Sequence, residues 1–174
     1  MLATLLATGA QAQPKSDWER KLEESGWQEA EARLPEYPQE ANLVEFEVSA
    51  ASSFRFFIDA ASLSIGVDGV VRYTLLARSA SGVQTVTYEG IRCSAAVHRI
   101  YALGRTTERS WSRSRVTDWK PIQPKSMNRQ VQALWQEYFC PQSVPITSRE
   151  DGINALKRGE HPHSGSTRSW DGRP

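Results

Sequence analysis

Cysteine and histidine are scarce in this chain of 174 residues, which holds two of the first and three of the second. A single cysteine pair, Cys93 and Cys140, excludes a four-cysteine zinc site, an iron-sulfur cluster held by cysteine alone and a disulfide-dense scaffold. No apolar run approaches the roughly 18 residues of a membrane-spanning helix, so no integral membrane segment is expected. Neither charge sign dominates: 21 Lys+Arg against 20 Asp+Glu leave a formal +1, which argues against a strongly basic nucleic-acid binder, and no specific nucleic acid is expected. HExxH, GxSxG, GxxxxGK and GxGxxG spacings are all missing, which removes most weight from the motif-bearing hydrolases, nucleotidases and dehydrogenases. His98 falls in a strand-like run, and His161 and His163 flank Pro162 near the end. Structural metal sites need about four ligands, so neither a metal nor another cofactor is expected. What remains, 39% hydrophobic and 24% charged, suits one compact domain with a real core.

The opening MLATLLATGAQAQP carries an apolar stretch over 2–10 and then Ala10-Gln11-Ala12, the small-x-small spacing of a signal-peptidase site. Residues 1–12 are therefore read as a signal peptide shortened at its start, since no Lys or Arg precedes Lys15. The alternative is an apolar helix that docks on the domain. No cysteine follows the cleavage point, which argues against a lipid anchor. Export would place Cys93 and Cys140 in an oxidising compartment, where an even pair favours a bridge over two buried thiols or one reactive cysteine. Such a bond would restrict the unfolded chain by about 4 kcal/mol in the chain-entropy model.

The near-neutral total conceals two blocks. Residues 17–47 hold ten acids and three bases, net −7, and residues 48–129 hold five acids and twelve bases, net +7. The acidic block opens with Ser16 as a helix N-cap and Trp18 and Leu22 on one face, and Gly26 ends that helix. Pro35 and Pro38 then force an extended passage, so residues 13–41 read as an acidic strap across the domain. From Asn42 the apolar period becomes two. Val44, Phe46 and Val48, then Phe54, Phe56 and Ile58, mark half-buried strands. Asp68-Gly69 and Ser81-Gly82 supply turns that need positive φ, and further strands run over 83–93 and 98–105, with Gly90 marking a bulge or a close backbone approach. Val131, Leu134, Trp135 and Tyr138 form a helical stripe within 127–140, and Thr147-x-x-Glu150 resembles a capping box for a short helix ending at Gly159. The expected fold is α+β: an antiparallel β-meander of five to seven strands over a single domain at 42–160, with a C-terminal amphipathic helix packed on it and a second short helix. Residues 161–174 read as a disordered tail.

Two constellations bear on function. Arg99, Arg105, Arg109, Arg113, Arg115, Lys120, Lys125 and Arg129 face only Glu108 and Asp118 in their window, with Tyr101, Trp111 and Trp119 interleaved. Guanidinium forks suit phosphate or carboxylate, and aromatic rings stack on bases or sugars, so Arg99, Tyr101, Arg105, Trp111, Arg113 and Trp119 are the candidate ligand contacts. The bland reading makes the tryptophans core or strap contacts and pairs the arginines with solvent or the acidic block. Asp59 or Glu89, near Arg72 or Arg92, is the alternative acid/base group, with a strand-end ion pair or turn contact as the bland reading.

FFIDAASLSIGVDGVVRY, YEGIRC, the Trp119-x-x-Ile122 spacing and LWQEYFC together resemble the CNP-one-like family of small exported proteobacterial proteins, over about residues 18–162. The resemblance implies export, includes both cysteines, and carries a domain of unknown function with no catalytic residues to transfer. The combined expectation is a soluble periplasmic, non-catalytic binding or interaction protein whose partner is an anionic envelope component or another protein. An envelope hydrolase using the sheet carboxylates is the alternative.

Overall fold

The computed structural model describes residues 20, 25–49, 52–123 and 128–164. The signal-like segment, the Ser16 cap, Trp18, Leu22 and Lys125 lie outside the described residues. Alternating side chains and tight turns produce seven antiparallel strands: β1 (Leu43–Phe46), β2 (Phe54–Ile65), β3 (Val70–Ser79), β4 (Gln84–Arg92), β5 (Val97–Arg105), β6 (Ser110–Arg113) and β7 (Lys120–Pro121). Strands β1 to β6 follow one another across the sheet, and β7 pairs with the start of β5. At the β2–β3 turn Gly69 has φ +74°, a conformation only glycine adopts cheaply, and the Gly66 N–H donates to the Val70 carbonyl at 2.9 Å.

Two irregularities shape the sheet. Between Asp59↔Thr74 and Ser64↔Arg72, five steps along β2 match two along β3, and the Ser62 hydroxyl replaces the lost ladder partner by accepting the Thr74 N–H at 2.8 Å. Between Tyr88↔Ala102 and Glu89↔Ile100, β5 carries one extra residue, Tyr101. Gly90 makes room for it: a Cβ there would sit 2.7 Å from the Tyr101 hydroxyl. Gly90 thus marks a close approach, and the bulge lies beside it.

Both faces of the sheet are covered. On one, Ile58, Leu63, Val71, Tyr73, Leu75 and Ile91 meet the two helices. The first, α1, is α-helical over Arg129–Ala133 and widens to i→i+5 bonding over Leu134–Phe139. The expected amphipathic helix is thus present, with a π-helical second half. The wider turn brings Phe139 into the core beside Leu134 and Tyr138, all fully buried, while Trp135 of the expected stripe is only half-buried. The second helix, α2, spans Arg149–Arg158. Its N-cap is Ser148, whose hydroxyl accepts the Asp151 N–H at 3.1 Å, one residue beyond the expected Thr147 box. Asp151 instead accepts from the Thr147 N–H and hydroxyl. Gly152 lets α2 approach β2, since a Cβ there would meet Ile146 at 2.6 Å and Leu63 at 2.8 Å.

A disulfide joins Cys93, just after β4, to Cys140, just after α1, with Cα atoms 5.3 Å apart. The Trp135 indole donates to the Cys93 carbonyl at 3.3 Å and the Tyr138 hydroxyl to the Glu47 carbonyl at 2.9 Å, so α1 is tied to the chain just after β4 and just after β1. The other face is covered by the extended segment 25–39, whose Trp27, Ala32, Leu34 and Tyr37 pack on Val70, Leu76, Tyr88 and Val97 or their neighbours.

Removing the disulfide by Cys93→Ala with Cys140→Ala lifts the constraint on a loop of 47 residues. The urea midpoint should fall by the equivalent of about 4 kcal/mol with the far-ultraviolet spectrum kept. A loss below about 1 kcal/mol would show that packing alone holds α1.

Candidate functional site

The basic and aromatic residues of the sheet meet their counter-charge in the strap. The Glu29 carboxylate accepts from Arg99 Nη1 at 2.6 Å, the Tyr101 hydroxyl at 2.7 Å and Trp119 Nε1 at 3.2 Å, and Arg72 Nη2 lies 3.6 Å away. Beside it Asp68 forms a second anchor. It accepts the Ala30 N–H at 2.8 Å and pairs with Arg72 at 2.6 Å, while Arg72 also donates to the Ala30 carbonyl and the Trp27 indole donates to the Asp68 carbonyl. Burial pushes the Asp68 carboxyl up, but its bonds to Arg72 and to the Ala30 and Val70 N–H groups outweigh burial and hold it below the usual range. Burial, followed by the bond to Glu29, raises the Tyr101 hydroxyl well above its ordinary value. Neither Glu29 nor the anchoring role of Asp68 stood out in the sequence. The only signal was the opposed charge of the two blocks.

The six candidate contacts therefore divide. Arg99, Tyr101 and Arg113 line one cleft of about 370 Å³ with Glu29, Glu31 and Ser114, between the strap and the β5–β6 edge. Arg113 is exposed and, among the described residues, its guanidinium has no ion pair or hydrogen-bond partner. Arg105 faces away and pairs with Glu108 at 3.2 Å. The Trp111 indole donates to the Pro35 carbonyl at 2.9 Å and packs beside Tyr37 and Tyr88. Trp119, 8% exposed, meets Trp27 edge-on at 5.8 Å, and Arg99 lies over its ring. Among the described residues the basic and aromatic side chains do not form one continuous exposed face, because segment 25–39 covers its centre.

The two sheet carboxylates do not converge. Asp59 shares a face with its register partner Thr74, under the strap, whereas Glu89 pairs with Tyr73 on the helix face. Glu89 accepts from Thr87 at 2.7 Å and Tyr73 at 3.2 Å, and burial pushes its carboxyl up. Arg72 is committed to Asp68, and Arg92 lies over the Trp27 ring at 4.2 Å. The alternation of the pleat places Asp59 and Glu89 on opposite faces, so the two do not act together as one acid/base pair.

Two of the three histidines, His98 and His161, are buried. His98 is buried, its Nδ1 has no partner, and burial lowers its pKa. His161, read in the sequence as the start of the tail, is 6% exposed; its N–H donates to the Glu137 carbonyl and its Nε2 lies 3.2 Å from Asp151. The remainder of that segment, 165–174, lies outside the described residues. Among the described residues no group of three or more His, Cys, Asp and Glu is placed to hold a metal, and no helix is long and apolar enough to cross a membrane.

A protein-family model described as the CNP1-like family matches residues 22–157. The chain is also similar to Cryptic neisserial protein 1 of Neisseria gonorrhoeae (strain ATCC 700825 / FA 1090), at 25% identity over 138 residues that span 71% of this chain and 68% of that protein. No solved structure matches.

Two outcomes follow from this geometry. Glu29→Ala leaves Arg72 and Arg99 without their shared acceptor. It should cost about 2–3 kcal/mol in chemical denaturation, allowing for partial screening at this half-buried site, and should red-shift tryptophan emission as Trp27 and Trp119 separate. An unchanged midpoint and emission maximum would show that the strap is held by apolar contact alone. For Glu89, a carboxyl raised in the folded state contributes fully below its unfolded value near 4.5 and loses that contribution as pH rises through the raised folded value. Glu89→Gln should match the wild type in urea midpoint at pH 4.5 and exceed it at pH 8 by about 1–3 kcal/mol. Equal pH dependence in the two proteins would contradict it.

Proposed function

The chain belongs to the CNP1-like family, and on that premise we propose that it is an exported, non-catalytic binding protein of the bacterial periplasm that engages an anionic group of an envelope component. The carrying observation is the cleft beside Glu29. Arg113 stands exposed on its wall without a counter-ion, while Ser114, Tyr101 and the Arg99 guanidinium line the floor. An approaching carboxylate or phosphate gains one free guanidinium, positioned next to a second that is already oriented by Glu29. Glu31 on the same lip disfavours a dense polyanion and favours a single charged group set among hydroxyls. Export is supported by the Cys93–Cys140 bond, which is the form a cysteine pair keeps outside a reducing cytosol. The non-catalytic reading is supported by the separation of Asp59 from Glu89.

The two parts are tested separately. Expressed at full length in a Gram-negative host, the protein should fractionate with the periplasm, and alkylation before reduction should leave both cysteines unlabelled; cytoplasmic protein with two labelled thiols defeats the export reading. At low salt, glucuronate and glycerol 3-phosphate serve as single-charge probes, and either should raise the melting temperature or change tryptophan emission. Arg113→Ala should weaken that response about fivefold to tenfold without moving the basal melting temperature. Failure of both probes on the wild type, or an unchanged response in the variant, defeats the cleft as the site.

A further inference from the structure

At the other end of the strap, where 35–39 crosses the bulged part of β2, a cavity of about 280 Å³ is lined by Glu36, Tyr37, Gln39, Asn42, Asp59 and Ser62. Its wall carries two carboxylates and no basic side chain. Asp59 is 3% exposed, yet among the described residues no Lys, Arg or His nitrogen lies within 4 Å of it, and Arg149 acts on it only from further away. Its Oδ1 receives the Ala61 N–H at a long 3.3 Å. The Ser62 N–H and hydroxyl also act on this carboxylate without offsetting its burial, while the short bonds of the hydroxyl go to the Asp59 backbone carbonyl and the Thr74 N–H, both at 2.8 Å. Two further hydroxyls in the vicinity are buried without a hydrogen-bond partner: that of Thr74, the register partner of Asp59, and that of Tyr37 on the cavity wall.

A carboxylate withdrawn from water without a counter-ion is costly, and native proteins rarely leave several buried polar groups short of partners at one place. The sequence does not explain the arrangement as packing, because an apolar residue at position 59 would fit the alternation of β2 as well. An ammonium group supplies what the cavity lacks: one positive charge and three donors, with acceptors at Asp59, the Asn42 and Gln39 amides and Glu36 at the mouth. We propose that this cavity is a binding site for the ammonium group of a small alkylamine, with Asp59 as its buried counter-ion. The volume admits a short aliphatic amine and excludes a macromolecular partner. This site is separate from the anion-contacting cleft and does not depend on that reading.

The test is an NMR titration of the uniformly 15N-labelled, disulfide-bonded full chain at pH 7 with butylammonium chloride, using butan-1-ol as the uncharged isostere. Butylammonium should shift the amide signals of Asn42, Ala61 and Ser62 along saturable curves in the millimolar range, and butan-1-ol should not. Asp59→Asn, similar in shape and neutral, should weaken binding about tenfold or more. Glu36→Gln, at an exposed position that the fold does not need, should weaken it about threefold and keeps the test decisive if Asp59→Asn fails to fold. Non-saturating shifts, equal shifts with the alcohol, or unchanged affinity in Glu36→Gln and any folded Asp59→Asn would overturn the proposal and leave a solvent-filled polar cavity.

Discussion

Glu29 holds together residues that the chain keeps far apart. Its two carboxylate oxygens take hydrogen bonds from Arg99, Tyr101 and Trp119, 70, 72 and 90 positions away. Much of the architecture hangs on this contact, because a sheet with two apolar faces needs two covers. The helices provide one, tied by a covalent bond. The other is an extended segment with no assigned strand of its own, so side chains and isolated backbone contacts must fix its position. Glu29 and Asp68 do so at one end, and the bonds to the Pro35 and Pro38 carbonyls from Trp111 and Arg109 do so at the other. The same contact explains why β3 and β5 carry buried arginines at all. Arg72 is 5% exposed, a placement tolerable only where its charge is matched by Asp68 and Glu29.

The opposite face works by different means. There α1 is held by the Cys93–Cys140 bond, by the widened turn over Leu134–Phe139, and by the Trp135 and Tyr138 side chains donating to backbone carbonyls just after β4 and β1. Among the described residues Glu89 is buried on this face with Tyr73 and Thr87 as its donors and no cation within ion-pair distance, whereas on the strap side Asp68 and Glu29 meet arginines. The two layers thus hold polar groups on different terms: one pairs charge with charge, the other surrounds a carboxyl, pushed up by burial, with hydroxyl donors.

How much of this was legible in the sequence depended on how local the cause was. The meander and its turns were readable because period-two alternation and Asp68-Gly69 act over a few residues. The short second helix was readable within one residue, and the error at its cap arose because Thr147 and Ser148 are both good caps; tertiary contact, with Arg149 donating to the Leu63 carbonyl, decides for Ser148. The π-turn of α1 was not readable, since its cause is the fit of Phe139 against Tyr73 across the layers. In the site, composition revealed that a −7 block and a +7 block exist, but not that one glutamate would take three of the candidate contacts. Nor could it show that the pleat would separate Asp59 from Glu89. Those facts are fixed by which strand face a residue occupies, and the bulges at Asp59/Ser64 and Tyr88/Glu89 reset that parity inside the strands.

Because one strap walls both the cleft and the cavity, their geometries are linked. The cleft takes its inner wall from residues 29–32 and the cavity from 35–39, and Pro35 and Pro38 stiffen the backbone between and beyond them. A shift of the strap along the sheet would move Glu29 off Arg99 and Tyr37 off the β2 bulge together. The two ends are nevertheless anchored by separate contacts, ionic at Glu29 and apolar with carbonyl bonds at Tyr37 and Pro38, so they need not release together. Salt weakens the ionic end more than the apolar end. The cleft beside Glu29 is therefore the part of this protein whose shape responds to ionic strength, and the Asp59 cavity is the part that keeps its form.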